Sequence, residues 1–150
     1  MRVAVGCDHA GYIIKEAVIK AIKDAGHEPI DFGTTNTEKV DYPDYAEKVG
    51  RAIINGQADR GIAICGSGVG VCITANKMKG IYAGLISDVY SAHQGVEHDE
   101  MNVMCLAGLV IGPVLAKELV TSFLKAKPLD IERYKRRVVK IKQIEEEFFK

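Results

Sequence analysis

Gly61-Ile62-Ala63-Ile64-Cys65-Gly66-Ser67-Gly68-Val69-Gly70 is the stretch whose reading decides the fold. Ile62, Ala63 and Ile64 form a short apolar run of the kind that a parallel sheet buries on both faces. The run stops at a cysteine and turns on three alternating glycines, and a helical pattern follows over Val71–Met78. The glycines let successive backbone N–H groups face outward with no Cβ in the way, beside the positive end of that helix. Such a turn suits an anion or a developing oxyanion, and a thiol at its rim has its thiolate form favoured. Tight strand-to-helix turns also use glycine for steric reasons alone. This segment by itself therefore leaves a structural and a catalytic reading open.

A second segment has the same shape. Gly6-Cys7-Asp8-His9-Ala10-Gly11 follows the apolar strand Val3-Ala4-Val5 and precedes another helical pattern. In an open parallel sheet the carboxyl ends of the strands gather along one edge, where ligands bind. Asp8 and His9 are thereby expected on the same rim as Cys65. An acid, an imidazole and a thiol there form a proton-handling set. The plainer alternative makes Asp8 a helix cap and leaves His9 merely exposed.

Strand-like and helical patterns alternate along the whole chain, which argues for an α/β domain with a parallel sheet. The strands are expected at Arg2–Cys7, Glu28–Phe32, Gly61–Cys65, Ile81–Ile86 and Asn102–Ala107. Helices are expected at Tyr12–Ala25, Tyr45–Asn55, Val71–Met78, Val89–Glu97, Pro113–Lys125 and Ile131–Phe149. Gly26 and Gly56 fit helix C-terminal caps, and Asp130 fits an N-cap for the last helix. The irregular stretch from Gly33 to Asp44 exceeds the usual connection length, which hints at a binding loop. Tyr42-Pro43 fixes its exit, because proline biases the preceding residue away from helix. With no repeat, low-complexity tract or linker, residues 1–150 read as one domain.

At 150 residues the chain is long enough to bury a sizeable core without staples. Its 20 basic and 20 acidic residues balance, so bulk charge argues for neither nucleic acid nor an acidic membrane surface. The exception is local: Lys135, Arg136, Arg137, Lys140 and Lys142 cluster near the C-terminus, a run that usually marks a solvated helix face. Four cysteines, at 7, 65, 72 and 105, show no C-x-x-C and no metal-ligand spacing. Cys7, Cys72 and Cys105 read as small buried hydrophobes. Asp8 and His9 interrupt any secretory apolar region, and no run is long enough to span a bilayer. A reducing cytoplasm is the expected setting.

The ordered set of motifs resembles the ribose-5-phosphate isomerase B family, which includes the galactose-6-phosphate isomerase subunits. The resemblance rests on Gly6-Cys7-Asp8-His9-Ala10-Gly11, Asp31-Phe32-Gly33-Thr34, Val40-Asp41-Tyr42-Pro43-Asp44-Tyr45 and Cys65-Gly66-Ser67-Gly68-Val69-Gly70. It continues through Ala75-Asn76-Lys77, Ser91-Ala92, His98, Asn102-Val103 and Ile111-Gly112, covering nearly the whole chain. It implies a three-layer, Rossmann-like α/β/α sandwich with a five-stranded parallel sheet. It also implies a C-terminal helix reaching a partner subunit, in a homodimer or a dimer of dimers with shared sites; a helix covering its own domain is the alternative.

The implied chemistry is aldose–ketose isomerisation of a sugar phosphate through a cis-enediolate, with no metal or organic cofactor. By resemblance Cys65 is the base, as a thiolate, and Ser67 helps position or activate it where many relatives carry threonine. Gly66, Gly68, Val69 and Gly70 line the oxyanion site, the N–H groups of the last three serving it, and Asp8 contacts sugar hydroxyls near the reacting carbons. His98 protonates the ring oxygen as the cyclic sugar opens, with Asp99 and Tyr42 also against the substrate. The phosphate end uses His9, Arg133 and Arg137. The two arginines are four apart on one helix face and lie across the dimer interface in the family.

Three positions depart from the family pattern. Asp99 stands where asparagine is usual, and Leu109 and Tyr82 stand where arginine is common. Losing positive charge and gaining a carboxylate weakens grip on a dianionic phosphate. Ribose 5-phosphate is therefore the first expectation, with galactose 6-phosphate, allose 6-phosphate, a tetrose phosphate or a uronate-type sugar as alternatives. Another is a non-catalytic sugar-phosphate-binding subunit that needs a paralogous partner, against which Cys65, Ser67 and His98 argue. A flavin- or nucleotide-binding module ranks last, because Gly66-x-Gly68-x-Gly70 is not the dinucleotide spacing.

Overall fold

The computed structural model describes residues 1–149. Its elements run β1 (Arg2–Cys7), α1 (Tyr12–Asp24), β2 (Glu28–Asp31), α2 (Tyr42–Ile54), β3 (Arg60–Cys65) and α3 (Val69–Ala75). They continue through β4 (Ala83–Leu85), α4 (Val89–Asp99), β5 (Val103–Ala107), α5 (Pro113–Lys125) and α6 (Glu132–Phe148). The five strands form one parallel sheet in the order β2-β1-β3-β5-β4. This is the expected α/β/α sandwich.

Alternate residues of the central strands feed two cores, as a pleated strand requires. Val3, Val5, Cys7, Ile62, Ile64, Met104 and Leu106 pack under α1, α4 and α5. Ala4, Ala63, Cys65, Val103 and Cys105 pack under α2 and α3. The second face is built from smaller residues, so α2 comes close: a Cβ on Gly6 would lie 2.7 Å from the Tyr45 carbonyl oxygen.

Both glycine caps take the expected form. After α1, Gly26 has φ +84° and donates to the Lys23 carbonyl while His27 N–H reaches Ile22. After α2, Gly56 has φ +74° and donates to Ile53 while Gln57 reaches Ala52. Each pair closes a helix end on its last free carbonyls.

Several boundaries differ from the sequence expectation. α2 starts at Tyr42, not Tyr45, because proline is tolerated in the first helical turn and Asp41 keeps the extended backbone before it. The irregular segment is correspondingly shorter. α3 starts two residues earlier and ends at Ala75. Strand β4 shrinks to three residues: Asn76 brackets the backbone of Ala83, accepting from its N–H and donating to its carbonyl, both at 2.9 Å. Asp130 is not the N-cap of α6; Ile131 is, and the Asp130 carboxylate pairs with Lys135 instead.

The last helix packs lightly. Of its apolar positions only Val138 is buried, while Ile141 and Ile144 stay 41% and 59% exposed. Polar ties hold its second half: Glu145 accepts from Tyr82 Oη at 2.9 Å and from Gly80 N–H at 2.6 Å, and Lys142 pairs with Glu100. No described helix is long and apolar enough to cross a membrane.

Candidate active site

Cys65 ends β3 at the carboxyl rim of the sheet, 4% exposed. Its carbonyl accepts from Gly108 N–H at 2.8 Å and that of Gly66 from Leu109 N–H at 3.0 Å, which locks the ends of β3 and β5 together. The chain then folds back so that Gly68 N–H donates to the Cys65 sulfur at 3.2 Å. Gly68 must be glycine: its φ is +76°, and a Cβ would lie 2.5 Å from Leu85 Cδ1. Of the N–H groups expected to serve an oxyanion, that of Gly68 thus points at the sulfur. That of Val69 donates to Ser67 Oγ at 3.3 Å. Tyr42 roofs the turn so closely that a Cβ on Gly70 would meet its ring at 2.5 Å. Leu109 lies over Gly66 in the same way, with 3.2 Å to a Cβ there.

Asp8 is buried beside this turn. Its N–H donates to the Ile64 carbonyl at 3.2 Å, and its Oδ1 accepts from Ala10 and Gly11 N–H at 3.0 and 2.9 Å. One oxygen therefore shapes the turn into α1, as the plainer reading had it, and Oδ2 lies outside that bonding. His9 Nδ1 accepts from Val40 N–H at 3.2 Å, which puts the proton of the neutral ring on Nε2. That bond ties the irregular segment across the rim. Lys15, 8% exposed, anchors the start of the segment through the Thr34 carbonyl at 2.8 Å and Asp31 at 2.9 Å.

His98, Asp99, Arg133 and Arg137 lie elsewhere. Helix α4 leaves the rim at Val89 and runs back to the far edge, where the Asn102 carbonyl accepts from Gly61 at the start of β3. About 14 Å of helix rise separates Val89 from His98, at roughly 1.5 Å per residue. The start of α6 sits against this end of α4: Leu129 N–H donates to the Glu97 carbonyl at 3.0 Å, and Tyr134 stacks on His98 with centroids 3.9 Å apart. Arg133 lies over the same tyrosine, and Arg137 follows one turn on, exposed. Within one chain, the structure thus gathers Asp8, His9, Tyr42, Cys65, Ser67 and the glycine turn at the rim. It gathers His98, Asp99 and the two arginines at the opposite edge.

Three thiols show clear electrostatic perturbation. Burial pushes Cys7 up to about 11. A hydrogen bond from Cys105 pushes Cys72 down to about 7, against its partial burial. The same contact, with burial, holds Cys105 well above the ordinary thiol range.

The family model described as Ribose/Galactose Isomerase matches residues 3–141. Ribose-5-phosphate isomerase B of Escherichia coli K12 is 41% identical over 145 residues, covering 97% of each chain. The D-erythrulose-4-phosphate isomerase of Pectobacterium atrosepticum is 37% identical, covering 84% of each. The solved structure of Clostridium thermocellum ribose-5-phosphate isomerase B superposes with a TM-score of 0.93 at 42% identity, covering 99% of each chain. The chain belongs to the ribose/galactose isomerase family.

For a member of this family, sequence reasoning alone leaves three supporting residues unseen. Lys15 reads as an ordinary helix lysine, yet it is buried under the irregular segment. Gln94 sits one turn before His98 and meets its Nδ1 at 3.0 Å; the i,i+4 spacing was the available signal. Tyr134 carried no local signal beyond an apolar position, because its partner is distant in the chain.

Proposed function

We propose that this chain interconverts ribose 5-phosphate and ribulose 5-phosphate at a site completed by a second copy of itself. The observation that carries the reading is the Cys65 sulfur, set at the rim in a glycine turn with a backbone N–H aimed at it. Cys65 removes the proton from carbon 2 of the open aldose and returns it to carbon 1, while the hydroxyl proton passes from O2 to O1 across the cis-enediolate. The glycine turn stabilises the enediolate oxygens between these steps. Asp8, with Oδ1 held by two amides, offers Oδ2 to the sugar hydroxyls. His9 offers Nε2–H to the phosphate.

Ring opening and the positive charge for the phosphate come from His98, Arg133 and Arg137. Since these lie at the far edge of their own chain, the scheme draws them from the second copy. Tyr90, Leu109, Val110 and Val114 are 65% to 76% exposed and cluster at the rim ends of α4, β5 and α5, which supports an apposed copy there. A soluble enzyme without a cofactor suffices for this chemistry.

The test is an NMR assay of aldose–ketose conversion over a panel of phosphorylated and unphosphorylated sugars, with Cys65→Ala alongside. Turnover of ribose 5-phosphate that disappears in Cys65→Ala is the expected result. No turnover of any sugar overturns the reading and favours a partner-dependent subunit. A second reading, another sugar phosphate, is favoured by Leu109, an apolar side chain over Gly66 at the rim. Turnover restricted to a tetrose or hexose phosphate selects it.

A further inference from the structure

Among the described residues, no carboxylate pairs with His98. Glu97, the nearest candidate on its helix, faces His93 instead, at 3.0 Å. Two other groups hold the imidazole. The Gln94 side-chain amide meets Nδ1 at 3.0 Å, and the Tyr134 ring lies on its face at 3.9 Å with 21° between the planes. A hydrogen-bonded nitrogen and a stacked face together leave the ring little freedom to turn. With Nδ1 occupied, Nε2 is the nitrogen left to face a substrate.

Tyr134 also holds Arg133. The guanidinium carbon lies 4.7 Å from the Tyr134 centroid, and Arg133 Nη2 donates to Tyr134 Oη at 3.1 Å. One side chain therefore touches both the imidazole and the neighbouring arginine, at the point where α6 meets α4. From this juxtaposition we infer that Tyr134 is a positioning residue: it fixes His98 for ring opening and couples that acid to the Arg133 arm. The inference rests on the proposed isomerase reading. It assigns Tyr134 no contact with the sugar.

Ring opening and enolisation can be read separately. Ribose 5-phosphate reaches the enzyme as a closed ring and needs an acid at the ring oxygen. Ribulose 5-phosphate cannot close to a furanose, because its O5 carries the phosphate. Exchange of its carbon 1 proton with solvent deuterium therefore reports enolisation at Cys65 without ring opening. In Tyr134→Leu at saturating sugar, turnover of ribose 5-phosphate is expected to fall roughly 10- to 100-fold, a part of what a general acid contributes. Deuterium exchange into ribulose 5-phosphate is expected to stay within about twofold under the same conditions.

Tyr134→Phe, which keeps the stack and loses the hydroxyl, should restore turnover of ribose 5-phosphate and raise only KM. Gln94→Leu removes the other tether and should show the same split as Tyr134→Leu. If both reactions fall together in Tyr134→Leu and Gln94→Leu, or if neither falls, the inference is wrong. If the wild-type chain neither isomerises nor exchanges, the isomerase reading itself fails and takes the inference with it.

Discussion

The backbone N–H of Gly68 donates to the Cys65 sulfur at 3.2 Å, closing the turn that joins β3 to α3. The bond depends on a left-handed residue at φ +76°, where a side chain would strike Leu85 and approach the Leu106 carbonyl oxygen. Gly68→Ala must shift the turn, at about 1–2 kcal/mol for the backbone alone, and so swings the donor off the sulfur. Turnover is expected to fall roughly 100-fold, the scale of losing one preorganised donor. Steady-state kinetics beside circular dichroism check it; a folded Gly68→Ala with wild-type kcat removes the turn from the mechanism.

Cys65 and His98 lie at opposite edges of one sheet, so a shared site makes a complementation prediction. Cys65→Ala and His98→Ala are each expected to be inactive alone. Mixed and allowed to exchange subunits, half of the dimers pair one of each, and each such dimer carries one intact site of two. About a quarter of wild-type activity should return, as two-fold pairing dictates. Failure to recover any activity, with subunit exchange shown by mass spectrometry, argues against a site built from two copies.

The separation of these residues shows which parts of the site were legible in sequence. Alternating strands and helices with glycine stops gave the sheet, and loops following strands put Asp8 and Cys65 on one rim, since these are local patterns with local causes. Pro43 misled at a boundary because the same residue both ends extended chain and opens helices. Asp130 misled because a nearby lysine, Lys135, competed for its carboxylate. The stack of Tyr134 on His98 joins residues from two helices with α5 between them, and no periodicity encodes such a contact.

Leu109 and Asp99 test whether the departures from the family pattern set specificity. Leu109 is 68% exposed over Gly66, so an arginine there has room to reach a phosphate without disturbing the core. Leu109→Arg and Asp99→Asn are each expected to lower KM for ribose 5-phosphate several-fold and leave kcat near wild type, since both change charge without touching Cys65. Inhibition by inorganic phosphate should tighten in parallel. Unchanged KM in the double variant makes both positions tolerated variation.

Tyr82, the other departure, has a structural occupation. Its hydroxyl donates to Glu145, and burial followed by that carboxylate pushes its own ionisation up to about 12. A phenol whose folded value is raised contributes stability below its ordinary value near 10 and loses it as pH rises toward 12. Tyr82→Phe should therefore cost about 1 kcal/mol or less at neutral pH, given its partial exposure, and abolish that alkaline contribution. Proteolysis near α6 should quicken. Thermal melts at pH 7 and 10.5 decide it: a wild type and a Tyr82→Phe variant that lose the same stability on going alkaline would place α6 under other control.

Cys72 gives a chemical handle on the turn from outside the site. Its thiol is held at about 7 by the hydrogen bond from Cys105, whereas burial holds Cys7 at about 11 and Cys105 is raised by giving that bond. Because the thiolate is the nucleophile, Cys72 should be alkylated by iodoacetamide with a rate that climbs through about pH 6 to 8, with Cys7 and Cys105 unlabelled in the folded protein. Peptide mapping in a Cys65→Ala background isolates these three. Cys72 stands on α3, directly after the glycine turn, and its thiol lies 3.6 Å from the Ala83 carbonyl of β4. A bulky adduct there has to move the helix, so in the Cys65→Ala background the Cys72 adduct should lower the melting temperature, and Cys72→Ser should remove that effect of iodoacetamide. Labelling of Cys7 ahead of Cys72, or a Cys72 rate flat with pH, contradicts the assigned donor.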